Sequence, residues 1–245
     1  MSLGHEYTGS EMLEIVKQRG YFGIRFIPNF VSELSFTNLE EIVKKNQVKH
    51  RGTFYPHIAD HKFGKFQRVD DYIESFHHWG QTAEIWRFYK SGQFKHFRGF
   101  MEDRWDSHPP LSAQWEPAME NPMPENTFFE PIVKIWEMTE MFLFASKLAD
   151  ELKCELTIEI KLHKMDNRRL QIRTGDRFDF GLEYICHTNT IILDSLSISA
   201  EELQIKHDEL AGEKMLEIFD YFRWDSSHIP SIIKQEQKKF YSHSF

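Results

Sequence analysis

Cysteine is scarce in this chain: Cys154 and Cys186 are the only two, with no C-x-x-C spacing. A disulfide framework and a four-cysteine metal site are therefore excluded, and a reducing cytoplasm is the expected compartment. No apolar run approaches the roughly 18 residues that a membrane span needs, so no membrane partner is expected. A G-x-S-x-G elbow, a Walker A loop and a G-x-G-x-x-G turn are all missing. Their absence removes the usual signals for a serine hydrolase, a nucleoside triphosphatase and a dinucleotide enzyme; no cofactor is expected, and catalysis has no motif behind it. Positive charge is in deficit, with a net charge of −8, which excludes a protein whose whole surface attracts phosphate. The opening MSLG is too short for a signal peptide and is expected to be a leader left by expression, with the native chain open to an earlier start.

What the chain has in quantity is apolar and aromatic side chains, 40% and 15% of its 245 residues, enough for one large core or two modest ones. Charge is distributed unevenly. Acidic residues crowd the stretch from Glu102 to Glu140, opposed by Arg104 and Lys134 alone, whereas Lys44, Lys45, Lys49, Arg51, Lys62, Lys65 and Arg68 outnumber the acids between Glu40 and Arg68. Both stretches are expected to be solvated faces.

Periodicity predicts the elements. TGSEMLEIVKQRG reads as a short helix capped by Ser10 and stopped by Gly20, YFGIRFIP as a strand, and SFTNLEEIVKKNQV as a helix with Leu39, Ile42 and Val43 on one face. A short strand near Arg51 to Tyr55 and a polar connection follow. Pro109, Pro110, Pro117, Pro122 and Pro124 mark an irregular boundary. Thr127 and Glu130 form a capping-box pattern ahead of EPIVKIWEMTEMFLFASKLADELK, whose apolar residues exceed one stripe and predict a helix buried on two sides. CELTIEIKL alternates strictly as a half-exposed strand, with Asp166-Asn167 turning into RRLQIRT as its hairpin partner. Ser199 and Glu202 cap a further helix, and a last one runs from Pro230 to about Tyr241. The expected fold is α+β: two β-rich lobes, mainly antiparallel hairpins, packed around a long buried helix, with two C-terminal helices. Residues 1–20 would be the leader and a short helix, 21–125 the first α/β lobe, and 126–245 a second lobe sharing one core.

Between Glu84 and Trp105 lies EIWRFYKSGQFKHFRGFMEDRW, rich in aromatic and basic residues around Ser91-Gly92. A two-residue turn there pairs Tyr89 with Phe94, Arg87 with His96 and Ile85 with Arg98, and puts Trp86, Phe88, Lys95 and Phe97 on the core side. Arg87, Tyr89, Phe94, His96 and Arg98 then share the accessible face, the composition of a base-stacking platform, which Lys44, Lys45, Lys49 and Arg51 would extend. A well-packed hairpin with the same composition is the competing reading. In PHIADH, the spacing of His57, Asp60 and His61 would bring them together on a helix as metal ligands, although Pro56 and Gly64 disfavour that helix. Glu102, Asp103 and Asp106 are a second possible cation site, with an exposed acidic strand end as the alternative. Cys154 falls on the buried face of its strand, as an inert thiol.

NQVKHRGTFYPHI, WRFYKSGQFKHFRGFMEDRW and IVKIWEMTEMFLFASKLA, over about residues 20 to 240, resemble a prokaryotic domain of unknown function that follows a Schlafen/Alba-like DNA-binding domain in larger proteins. The resemblance transfers no catalytic residue. It implies an accessory module, with nucleic acid bound through the absent N-terminal domain. The leading expectation is thus a non-enzymatic, cytoplasmic interaction module of a larger DNA-linked regulatory or defence protein, acting through a protein partner or self-association. A nucleic-acid-binding domain using the hairpin face is the alternative, and a metal-dependent nuclease or hydrolase the third.

Overall fold

A computed structural model describes residues 7–50, 53–58, 66–79, 82–104, 126–172, 183–225 and 227–242. Strand β1 (Tyr21–Pro28) is the spine of the molecule. Phe22, Ile24 and Phe26 alternate to one side and are buried, while Arg25 points to the other and is exposed, as a period of two dictates. On one side β1 pairs with β7 (Phe94–Gly99); on the other it pairs with β9 (Leu156–His163), both antiparallel. The strands expected to build two lobes therefore meet in one sheet. Beyond β7 follow β6 (Thr82–Tyr89), β5 (Tyr72–Trp79) and β4 (Gln67–Val69), and beyond β9 come β11 (Thr190–Ile192) and β12 (Leu196–Ile198). Every pairing in this eight-stranded sheet is antiparallel. Two small ladders stand apart: β2 (Val48–His50) with β3 (Thr53–Tyr55), antiparallel, and β8 (Phe128–Phe129) with β10 (Arg169–Leu170), parallel.

The inner side of the sheet packs on helix α3 (Pro131–Leu152). Phe144 lies 6.2 Å from Phe26 and 5.0 Å from Phe94, ring to ring. Helices α4 (Ala200–Asp220) and α5 (Ile229–Ser242) close over the far side of α3, where Trp136 Nε1 donates to Glu236 O at 3.1 Å. The helix is buried on both sides, as apolar residues on more than one stripe require. Helix α2 (Phe36–Asn46) adds Leu39, Ile42 and Val43 to the same core. Helix α1 (Gly9–Lys17) lies across the outer side instead, where Met12 and Val16 cover Tyr21, Phe76, Ala83 and Ile85. Among the described residues, no helix is long and apolar enough to cross a membrane.

Four details depart from expectation for local reasons. The cap of α1 is Thr8, whose hydroxyl accepts from Glu11 N while Glu11 accepts from Thr8 N at 2.8 Å; Ser10 is already inside the helix. Helix α3 starts with Glu130 at its cap and no side-chain cap bond, because Pro131 at the first position has a preset φ and no N–H to satisfy. The connection read as polar contains β4 and β5, joined at Asp70-Asp71 with Asp70 at φ 39°. Finally, Arg169–Leu170 does not turn back onto β9. Asn167 does turn, at φ 61°, but the Arg168 side chain is drawn into the interior onto Asp103 and Phe128 O, and the chain runs beside β8. The Ser199 cap stands as expected, accepting from Glu202 N.

Candidate functional site

The β6–β7 hairpin decides which side chains are available for function. Its connection is a three-residue loop, Lys90 to Gly92, rather than the two-residue turn the dipeptide suggests. Tyr89 N donates to Gln93 O and Gly92 N to Tyr89 O, at 2.9 and 2.8 Å, with Gly92 at φ 79°. That is a tight turn followed by a left-handed residue, which favours glycine. A Cβ at Gly92 would also crowd Pro28 and Val31 at 3.1 Å. The extra residue slips the pairing by one, so that Phe88 opposes Phe94, Trp86 opposes His96, Arg87 opposes Lys95 and Glu84 opposes Arg98. A one-residue slip exchanges the faces of one strand. Phe94, His96 and Arg98, expected outside, are therefore inside with Trp86 and Phe88, at 0%, 0% and 6% exposure. Lys95 and Phe97 move out to join Arg87 and Tyr89.

Inside, the polar side chains form a connected cluster. Glu84 Oε1 lies 2.6 Å from His57 Nδ1, its Oε2 lies 3.2 Å from His96 Nε2, and His96 Nδ1 lies 2.9 Å from the Tyr55 hydroxyl. Burial would raise the Glu84 carboxyl, but the charge and hydrogen bond of His57, with the bond from His96, hold it well below the usual carboxylate range. Burial would lower His57; Glu84 outweighs it and raises the imidazole. Burial prevails at His96 and lowers it. A neutral His96 satisfies both neighbours by donating from Nε2 to Glu84 and accepting the Tyr55 O–H at Nδ1. The His77 ring stacks on His57 at 5.2 Å, and burial lowers it too.

A second set adjoins the first along α3. Arg98 lies 2.9 Å from Glu140 and 3.3 Å from Glu137; Lys134 lies 2.8 Å from Glu137 and 2.9 Å from Glu102. Lys134 is fully buried over Phe100 at 4.6 Å, and Glu102 and Glu137 overcome its burial to raise its pKa. Arg168 meets Asp103 at 2.5 Å and donates to Phe128 O at 2.7 Å. Of the acidic stretch expected as a solvated face, the described residues Glu102, Asp103, Glu130, Glu137 and Glu140 are all buried instead. Glu102 and Asp103 hold Lys134 and Arg168, not an open cation site; Asp106 lies outside the described residues.

The other sequence-derived ligands fare similarly. His57 spends Nδ1 on Glu84, while Asp60 and His61 lie outside the described residues; no group of three His, Cys, Asp or Glu among the described residues could hold a metal. Lys44 lies 5.0 Å over Phe66 and 3.9 Å from Glu40, Lys45 bonds Glu151 at 2.6 Å, and Lys49 lies 5.8 Å over Phe54. They belong to α2 and β2, which pack with α3 on the inner side, so they do not extend the surface that carries Arg87. Arg51 lies outside the described residues. Cys154 and Cys186 are free and buried, and burial raises both thiols.

The outer side of the sheet presents a different set. A row crosses five strands as Glu74, Arg87, Lys95, Arg25 and Glu159, each opposite the next. Arg87 lies 2.9 Å from Glu74 and Arg25 2.9 Å from Glu159. Tyr72 and Tyr89 are paired beside this row with rings 5.1 Å apart; Arg87 stands 5.2 Å over Tyr72 and Lys95 4.6 Å over Tyr89. On the other flank, Lys161 opposes Gly23 and Ile192. Of these, only Arg87 and Tyr89 were picked out by sequence. The alternation of YFGIRFIP already places Arg25 outside, but only pairing brings it beside Lys95. Comparison with protein-family models, with curated proteins and with solved structures finds no match, so function is argued from these surfaces.

Proposed function

We propose that this chain is a non-enzymatic, cytoplasmic interaction module of a larger regulatory or defence assembly linked to DNA, and that it works through protein contact. The supporting observation is the outward stripe of α4. Ile205 is 81% exposed and Leu216 39%. Eleven residues apart, they stand about three turns from each other and within about 20° of the same direction. Glu202, Glu209, Glu213 and Asp220 are exposed around them, with Lys206 the one basic neighbour in the stripe. Large aliphatic groups ringed by carboxylates suit a partner that is apolar at its centre and basic at its rim. A second copy of this chain fits less well, because a two-fold contact would set acid against acid.

The test is a photo-reactive amino acid placed at position 205 or 216 in cells that make the full-length protein, with the same group at exposed Ser197 as control. A discrete protein adduct from 205 and 216, and none from 197, is the expected result. No adduct from either α4 position, or the same adducts from all three, defeats the reading.

A further inference from the structure

We propose that the uncovered part of the outer sheet face binds single-stranded nucleic acid, independently of α4. Helix α1 covers the rows through Phe76, Ala83, Ile85 and Tyr21. Its first residue, Gly9, also sits against Glu74, but Arg25 and Lys161 stay exposed and Arg87, Lys95, Tyr72 and Tyr89 partly exposed, with the two tyrosines on one flank of the row and Lys161 on the other. Adjacent strands stand about 4.8 Å apart, so the three cations of the row span roughly 10 Å on a rigid support. Its two carboxylates sit at the ends: Glu74 is buried against Arg87, and Glu159 holds Arg25. Among the described residues, Lys95 and Lys161 have no carboxylate partner. The face is therefore locally basic on a chain whose net charge is −8.

The chemistry of the ligand follows from pairing these cations with tyrosines. Arg87 and Lys95 now rest over the rings of Tyr72 and Tyr89. A phosphate backbone along the row would draw both cations off the rings and leave two aromatic faces for bases. Bases stack on such faces with little sequence preference, and the backbone contributes the salt-dependent attraction. A duplex keeps its bases stacked inside and has nothing to offer the tyrosines. An acidic peptide satisfies the cations alone, and the paired rings would be idle.

The experiment is fluorescence anisotropy with the whole chain at low salt, using labelled oligo-dT, oligo-rU, a mixed duplex and a poly-glutamate peptide, followed by a salt series. Either single strand, or both, should bind, while the duplex and the peptide should bind at least about tenfold more weakly. The logarithmic salt slope should approach roughly −2, as about three phosphate contacts require of a single strand. Lys95→Ala with Lys161→Ala should weaken binding about tenfold and flatten that slope, and Tyr89→Leu should weaken it with the slope unchanged. Circular dichroism and thermal melting identical to the parent show that the variants are folded; an unfolded Tyr89→Leu is replaced by Tyr72→Leu. No binding of either strand at low salt, equal binding of duplex or peptide, or binding indifferent to the lysine pair overturns the proposal.

Discussion

Arg87 and Arg98 belong to one hairpin, on neighbouring strands, and sequence alone gives them the same role. Their surroundings are opposite. Arg98 is buried between Glu137, Glu140 and Tyr55, whose charges and ring replace its water. Arg87 is partly exposed, bonded to Glu74 and lying over Tyr72. A single loop residue separates the two outcomes, since an arginine on one face of a sheet is a ligand-facing group and on the other a structural counter-ion. The lesson concerns reading basic clusters: they mean little until the register assigns them to faces.

The largest effect should come from Arg98→Ala. It leaves Glu140 buried without its arginine and Glu137 with Lys134 as its remaining cation, and should destabilise the fold by ~3–5 kcal/mol in urea unfolding. A well-folded Arg98→Ala would erase the contrast with Arg87. Next is Glu84→Gln, expected to cost ~1–3 kcal/mol, because His57 and His96 lose their common acceptor charge. It also tests pH behaviour. The raised His57 contributes stability that is complete below the ordinary imidazole value of about 6.5 and is lost as pH rises through the higher folded value. The depressed Glu84 contributes stability that is complete above the ordinary carboxylate range and is lost as pH falls through the folded value. Glu84→Gln should therefore flatten the decline above about pH 6.5, and proton NMR should show the His57 titration moved down, because burial is no longer opposed by the Glu84 charge. Arg87→Ala should cost less, ~1–3 kcal/mol, since it strands one buried carboxylate, Glu74, while the guanidinium itself is partly open to water; a loss equal to that of Arg98→Ala would mean that both arginines are structural. Ile205→Ser should change unfolding free energy by less than ~0.5 kcal/mol, as an exposed position with no packing role.

Elements governed by local pattern were legible. Strict alternation located β1 over Tyr21–Pro28 and put Leu156, Ile158, Ile160 and Leu162 on the inner side of β9. The two-sided apolar content of α3 foretold its burial, and Ser199 its neighbour's start. What failed depended on partners distant in sequence. In β5, Glu74 and Ser75 are buried on opposite faces beside Phe76 and Ile73, so polarity does not alternate and the stretch reads as a loop. Carboxylates such as Glu102 and Glu137 read as surface until Lys134 and Arg98 are placed beside them. The site was half legible for the same reason: Arg87 and Tyr89 were found, but Lys95 needed the Gly92 turn, and Arg25 with Lys161 needed strand neighbours from the other half of the chain.

The pairing of β1 with β9 also fixes when this protein can fold. Arg25 meets Glu159 across a separation of 134 positions, so β1 is synthesised early and its second neighbour late. Once β7 has emerged, β1 is satisfied on one edge and open on the other until Leu156–His163 leaves the ribosome, which at about 5–20 residues per second takes on the order of several seconds. During that interval Phe22, Ile24 and Phe26 line an unpaired central edge, the geometry that templates pairing between nascent chains on one message. Any truncation between Gly99 and Leu156 makes that state permanent. Such fragments are expected in the insoluble fraction even though they retain four strands of the sheet beyond β1, while a chain cut after β12 regains a continuous sheet.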